Sequence, residues 1–214
     1  MSASQPSPSQ VSIISATNPR TGGDPYLRVS FTSQYGPFLY TDVGSDAYTN
    51  VSIFRPTPAS GWFILGDYAQ PDYQSAYGTS CMVQEHNSDP SNPILMAPTG
   101  YVKLWDDTHS GGEHDGSVWR PTAPEGYVAI GDVCGSGHSA PDISEYRCVR
   151  HDYAQLLAAP ANSSRIWADE HSDAWGSVAL YPIPGVAGAF TSVTNYEPPT
   201  AQIWSLKGPS GTGS

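Results

Sequence analysis

A chain of 214 residues with a formal charge of −11 repels phosphate backbones, so nucleic-acid binding is set aside, and attraction to anionic lipid is disfavoured though a local basic face would permit it. Its 21 Gly and 20 Pro, against only 14% charged residues, call for many turns and few exposed helices. Aromatic residues at 11% argue against a disordered chain, which would lack the apolar surface to offset ordering entropy.

In chain order, residues 1–10 are polar and Pro-rich and are expected to form a flexible N-terminal arm. A β domain over residues 11–207 and a Gly/Ser-rich flexible tail over 208–214 complete the expected organisation. Val11 to Ile14 reads as an edge strand, and Tyr26 to Phe31 alternates with the period of two of a half-buried strand. Further strands are expected at Phe38–Thr41, Val51–Phe54, Trp62–Leu65, Ser80–Glu85, Tyr101–Trp105, Val118–Pro121, Tyr127–Asp132 and Tyr146–Arg150. The one helix expected is short, over 152–159, ended by Pro160. Gln202 to Leu206 is a last strand, placed beside Val11–Ile14. Cys81, Cys134 and Cys148 are too few for a disulfide framework, so buried thiols are expected, with a single Cys134–Cys148 bridge as the alternative. No basic segment leads into an apolar core at the start, and no run of about 18 apolar residues occurs, so a cytoplasmic location is expected.

One grammar recurs three times, at about 35–70, 100–135 and 163–195. An acidic turn (Asp42, Asp107, Asp169) carries a Ser three residues on (Ser45, Ser110, Ser172), and a Pro follows each Asp by 14, 14 and 13 residues. Short strands, frequent turns and a threefold repeat predict an all-β fold with pseudo-threefold symmetry, β-prism-like, in which each unit buries an apolar face that it cannot cover alone.

Phe54-Arg55-Pro56 with Gly61-Trp62-Phe63-Ile64-Leu65-Gly66-Asp67, and Val118-Trp119-Arg120-Pro121 with Gly126-Tyr127-Val128-Ala129-Ile130-Gly131-Asp132, resemble the vacuolar protein sorting-associated protein 62 family, as does Arg147-Cys148-Val149-Arg150. The resemblance spans roughly residues 35–195 and departs from its pattern in the third copy, where Tyr181-Pro182 stands for Arg-Pro. It implies a compact β domain, with β-prism lectins and a membrane-binding domain of multivesicular-body proteins as architectural analogies, and its name implies a link to trafficking.

Tyr40, Trp105 and Trp167 stand two residues before Asp42, Asp107 and Asp169, which puts each aromatic and its carboxylate on one face of an extended strand. A local Asx-type turn would use such an Asp for its own backbone. The functional expectation is a ligand site at Tyr40, Asp42, Ser45, Trp105, Asp107, Ser110, Trp167, Asp169 and Ser172, where oxygens meet sugar hydroxyls and a ring stacks on the sugar. Asp106, Asp107, Glu113 and Asp115 make calcium the weaker alternative, and no other cofactor is implied. Arg55 and Arg120 are expected to pair with turn carboxylates, and Trp62, Trp119 and Tyr127 to lie in the core. There is no nucleophile elbow. The expectation is therefore a non-enzymatic, lectin-like module binding glycans or similar hydroxyl-rich surfaces, with a homodimer allowed by exposed strand edges. The rivals are a membrane-associated trafficking adaptor and a polysaccharide hydrolase using an acid pair such as Asp169/Glu170.

Overall fold

The computed structural model describes residues 11–16 and 23–208. The arm expected over 1–10 and, apart from Gly208, the tail expected over 208–214 lie outside the described residues. The architecture is all-β: short strands form several small sheets whose ladders are antiparallel, and the helical content among the described residues is two three-residue 3-10 turns, His151–Tyr153 and Asn162–Ser164.

Three sheets have three strands each in a meander. The first comprises Tyr35–Thr41, Ser52–Pro56 and Tyr68–Gln70; the second Gly100–Asp106, Gly116–Thr122 and Val133–Ser136; the third Trp167–Ala168, Ala179–Pro182 and Phe190–Val193. In each, the middle strand is the one ending at Pro56, just past Pro121, or at Pro182. One apolar core joins all three sheets. It holds Tyr40, Ile53 and Ala69 from the first, Trp105, Val118 and Cys134 from the second, and Trp167, Leu180 and Phe190 from the third. Gly116 completes the fit, because a Cβ there would run into the Tyr40 ring.

The remaining strands build a second core. Ser12–Ser15, Tyr26–Thr32, Ser80–His86 and Phe63–Ile64 make a four-stranded sheet, and Tyr127–Val128, Cys148–Arg150 and Leu95–Met96 a three-stranded one. Leu27, Val83, Leu95 and Val149 pack between them.

Two expectations are corrected. Residues 152–159 are not a helix: after the 3-10 turn, Ala154–Leu157 is a strand paired with Ile203–Leu206. The last strand therefore lies there and not beside the first, which pairs with Tyr26–Val29. Gln155 Nε2 donates to the Leu206 carbonyl at 2.8 Å, and ladder pairing with a terminal strand overrides weak helical propensity. All three cysteines are free and buried, so the bridged alternative is not realised.

Arg55 and Arg120 do pair with turn carboxylates, those of the Gly66-Asp67 and Gly131-Asp132 turns. Each forks onto its Asp through Nε and Nη2, at 3.1 and 2.8 Å for Arg55 and 2.8 Å twice for Arg120. The pairs also reach the neighbouring sheet. Asp67 accepts from the Cys134 N–H and Arg55 donates to its carbonyl, while Asp132 and Arg120 do the same to Ser192. Burial opposes the Arg55 charge, but Asp67 beside it outweighs this and raises its pKa. Pro182 occupies the corresponding place in the third sheet and has no such side chain.

Candidate functional site

The three acidic turns share one local geometry. Ser45, Ser110 and Ser172 N–H groups donate to the carbonyls of Asp42, Asp107 and Asp169 at 3.0, 2.8 and 2.9 Å. The residue two after each Asp has positive φ: Gly44 at 87°, His109 at 71° and His171 at 75°. Each Asp Oδ1 then accepts the N–H nine residues on, from Val51 (2.8 Å), Gly116 (3.0 Å) and Val178 (2.8 Å), closing the loops 42–51, 107–116 and 169–178.

These loops interlock at one end of the molecule. The Tyr48 N–H donates to the Glu170 carbonyl, Trp175 to Thr108 and Glu113 to Val43, at 3.0, 3.1 and 2.7 Å. In every case the donor stands six residues after its own Asp and the acceptor one residue after the Asp of another loop. The carboxylates continue the exchange inside. Trp105 Nε1 donates to Asp169 Oδ2 and Trp167 Nε1 to Asp42 Oδ2, both at 2.8 Å. The rings of Tyr40, Trp105 and Trp167 meet edge to face with centroids 5.6–6.1 Å apart.

The nine expected ligand residues are thus brought together, but facing inward. Asp42, Asp107 and Asp169 are at most 5% exposed, as are Tyr40, Trp105, Trp167 and Ser110; Ser45 and Ser172 are half-buried. The expectation that each aromatic and carboxylate face a ligand is corrected. Their shared face is the core face, and the carboxylate oxygens are occupied by backbone N–H groups and, at Asp42 and Asp169, by indoles. Each Asp also accepts from a side chain beyond the third strand. Tyr73 bonds Asp42, Tyr196 bonds Asp169, and His138 Nε2 stands 2.6 Å from Asp107 Oδ1.

Burial raises the Asp42 and Asp169 carboxyls above the ordinary value of 3.8, although the N–H groups of Val51 and Val178 act to lower them. The native state therefore holds protons that the unfolded chain has released. This contribution to stability is full below pH 3.8 and is lost as pH rises through the native pKa. In denaturant titrations at a series of pH values, the stability advantage of wild type over Asp169→Asn is expected to shrink across that window. An advantage that grows there would show that hydrogen bonding outweighs burial.

The four calcium candidates do not form one oxygen cage. Asp106 is bonded to Lys103 Nζ at 3.0 Å, and Glu113 packs over Gly44. Asp107 and Asp115 converge instead with His138, with ligand atoms within 4.8 Å of one another. Two carboxylates and an imidazole are fewer oxygens than the six to eight that calcium takes.

The outer side of the same loops carries residues the sequence reading passed over. Trp175 is 78% exposed and Tyr48 69% exposed. Trp175 stacks on His109 with centroids 4.3 Å apart, and Tyr48 on His171 at 4.6 Å. Both histidines hold a positive φ that non-glycine residues rarely adopt. Phe38, also exposed, contacts His114 at 4.9 Å. Their spacing of six from Asp42 and Asp169 was a usable signal, broken in the second copy by Glu113.

Residues 23–182 match the model of a family described as vacuolar protein sorting-associated protein 62. The chain belongs to the vacuolar protein sorting-associated protein 62 family. A solved structure with the same kind of fold is the crystal structure of GNIP1Aa from Chromobacterium piscinae, with a TM-score of 0.64 and 26% identity. The alignment covers 82% of this chain and 37% of that one, so this vacuolar protein sorting-associated protein 62 family chain corresponds to little more than a third of GNIP1Aa. No curated protein matches the sequence. Among the described residues, no helix is long and apolar enough to cross a membrane.

Proposed function

We propose that this protein is a non-enzymatic recognition module that binds glycans or similar hydroxyl-rich surfaces through the interlocked loops 42–51, 107–116 and 169–178. The observation that carries this reading is the pair of exposed, preorganised stacks, Trp175 on His109 and Tyr48 on His171. A ring held flat by an imidazole on one side offers its other face to a sugar at little ordering cost. Backbone bonds between the loops fix the spacing of the two platforms. Each platform binds weakly, and two on a rigid end supply avidity for a repetitive surface.

In the same reading the three meander sheets are copies of one unit about a pseudo-threefold axis, a β-prism. Supporting this are the matching Asp turns, the cyclic donor pattern between loops, and the three core rings. Three buried free thiols agree with residence in a reducing compartment such as the cytoplasm.

The trafficking alternative rests on the family description and on the same exposed rings, since Trp and Tyr also favour membrane interfaces. A charge of −11 opposes it on anionic bilayers.

The test is a glycan array with hapten competition, run on wild type and Trp175→Ala. Hapten-competed binding that falls on the order of a hundredfold in the variant is the expected result. No competed binding to any glycan, together with flotation on liposomes, would replace this reading by the adaptor.

A further inference from the structure

The outward face of the first sheet differs from those of the other two. Tyr40, Ile53 and Ala69 point into the shared core, so their neighbours Thr41, Ser52 and Gln70 point the other way. These three lie in one cross-strand row, Thr41 opposite Ser52 and Ser52 opposite Gln70. All are buried, Thr41 at 6% exposure, yet Thr41 Oγ1 and Gln70 Oε1 have no hydrogen-bond partner among the described residues. The next row is aromatic, Phe38 opposite Phe54 and Phe54 opposite Tyr68. A register shift between Phe38 and Tyr40 brings Phe38 onto the same face as Thr41.

A cleft of about 600 Å³ opens over this face, with Phe38, Thr41, Ser52 and Phe54 among its lining. That volume is within the range of small-molecule sites. Tyr73 and Gln74 form a wall, and the lining includes His114 but no Asp, Glu, Lys or Arg. The wall is tied down: Gln70 Nε2 donates to the Gln74 carbonyl at 2.7 Å and to Asp72 Oδ1 at 2.8 Å, and Tyr73 bonds the Asp42 carboxylate.

The other sheets serve as internal controls. In the second, the row is Asp106, Ser117 and Gly135; Lys103 bonds Asp106, and Ser117 Oγ is engaged by Gly137 and Trp119. In the third it is Ala168, Ala179 and Val193, packed with Tyr181 and Tyr196. Only the first row combines buried oxygens lacking partners with an open aromatic cleft. A buried hydroxyl without a partner costs free energy that a ligand hydroxyl would recover.

We infer that this cleft is a binding site for one neutral pyranose unit, its C–H face on Phe38 and Phe54 and its hydroxyls on Thr41 and Ser52. No Lys or Arg in the lining offers a fixed cation to an acidic sugar. The site shares a ligand class with the loop-end reading but none of its platform residues, and it stands without Tyr48 and Trp175.

The test is titration of the isotope-labelled full chain with the methyl pyranosides of glucose, galactose and mannose, with methyl glucuronide as the charged comparison. At least one neutral pyranoside is expected to shift the Thr41, Ser52, Gln70 and Gln74 amide signals saturably. Thr41→Val, which keeps the shape and deletes the hydroxyl, should weaken that binding roughly tenfold. Its unfolding midpoint should not fall, because the lost hydroxyl has no partner among the described residues. Trp175→Ala should leave the titration unchanged. Absence of shifts with all three neutral pyranosides, equal binding of the glucuronide, or undiminished binding by a folded Thr41→Val would overturn the inference. A negative glycan array with intact cleft shifts counts against the loop-end platforms and not against the cleft.

Discussion

Trp167→Ala is expected to lower the unfolding free energy by about 3–5 kcal/mol, the range for removing a large buried aromatic. Trp167 is 1% exposed and sits where the three meander sheets meet. Its ring contacts both Tyr40 and Trp105, so no single sheet can relax to refill the space. Its Nε1 also supplies Asp42 Oδ2 with a partner at 2.8 Å, which the substitution removes from a buried carboxylate. Trp167→Phe keeps most of the volume and loses only the indole donor, so it should cost clearly less. Equilibrium urea unfolding measures both. A cost below about 1 kcal/mol for the alanine variant would mean that the site collapses freely, contrary to the close packing of such cores.

Asp169→Ala should cost about 2–4 kcal/mol, through a different route. The side chain is small and leaves little cavity. Its loss leaves the buried Val178 N–H without its 2.8 Å acceptor and takes one of two acceptors from Trp105 Nε1, which retains the Gly176 carbonyl at 3.1 Å. The loop it closes carries Trp175, so the His109–Trp175 stack should loosen along with the stability loss. Faster amide exchange across 169–178, measured beside the unfolding curve, is the expected signature. Unchanged protection in that loop would mean that the interlocking bond from Trp175 to Thr108 suffices alone.

These two residues also mark what could be read from sequence. The acidic turns were legible because Asp, Ser and Pro recur at fixed spacing, and the strands because apolar residues alternate between turn residues. A spacing of two places Trp167 and Asp169 on one face but says nothing of which face the core takes. That choice is made by the other sheets, whose contribution to a carboxylate at Asp42 comes from position 167. Tyr68–Gln70 is too short to show a period, and the strand within 152–159 is set by its ladder partner at 203–206, a pairing that local sequence does not carry. Tyr48 and Trp175 share a spacing of six from Asp42 and Asp169, but Glu113 takes that place after Asp107, so the recurrence is incomplete and does not tell that the rings face outward. Only the folded loops bring His171 and His109 beneath them. The Thr41–Ser52–Gln70 row was invisible for the same reason, being assembled across three strands.

Inner carboxylates close the three loops, while recognition is proposed for the outer rings. The most direct measurement of that division is multivalent glycan binding by the double variant Tyr48→Ala/Trp175→Ala, with its unfolding midpoint determined in parallel. Because both side chains are mostly in solvent, the expected result is a midpoint close to that of wild type and loss of the avidity-dependent, hapten-competed binding, leaving only weak binding of single pyranose units in the cleft. Full binding by the double variant, or a loss of binding matched by a collapse in stability, would contradict it.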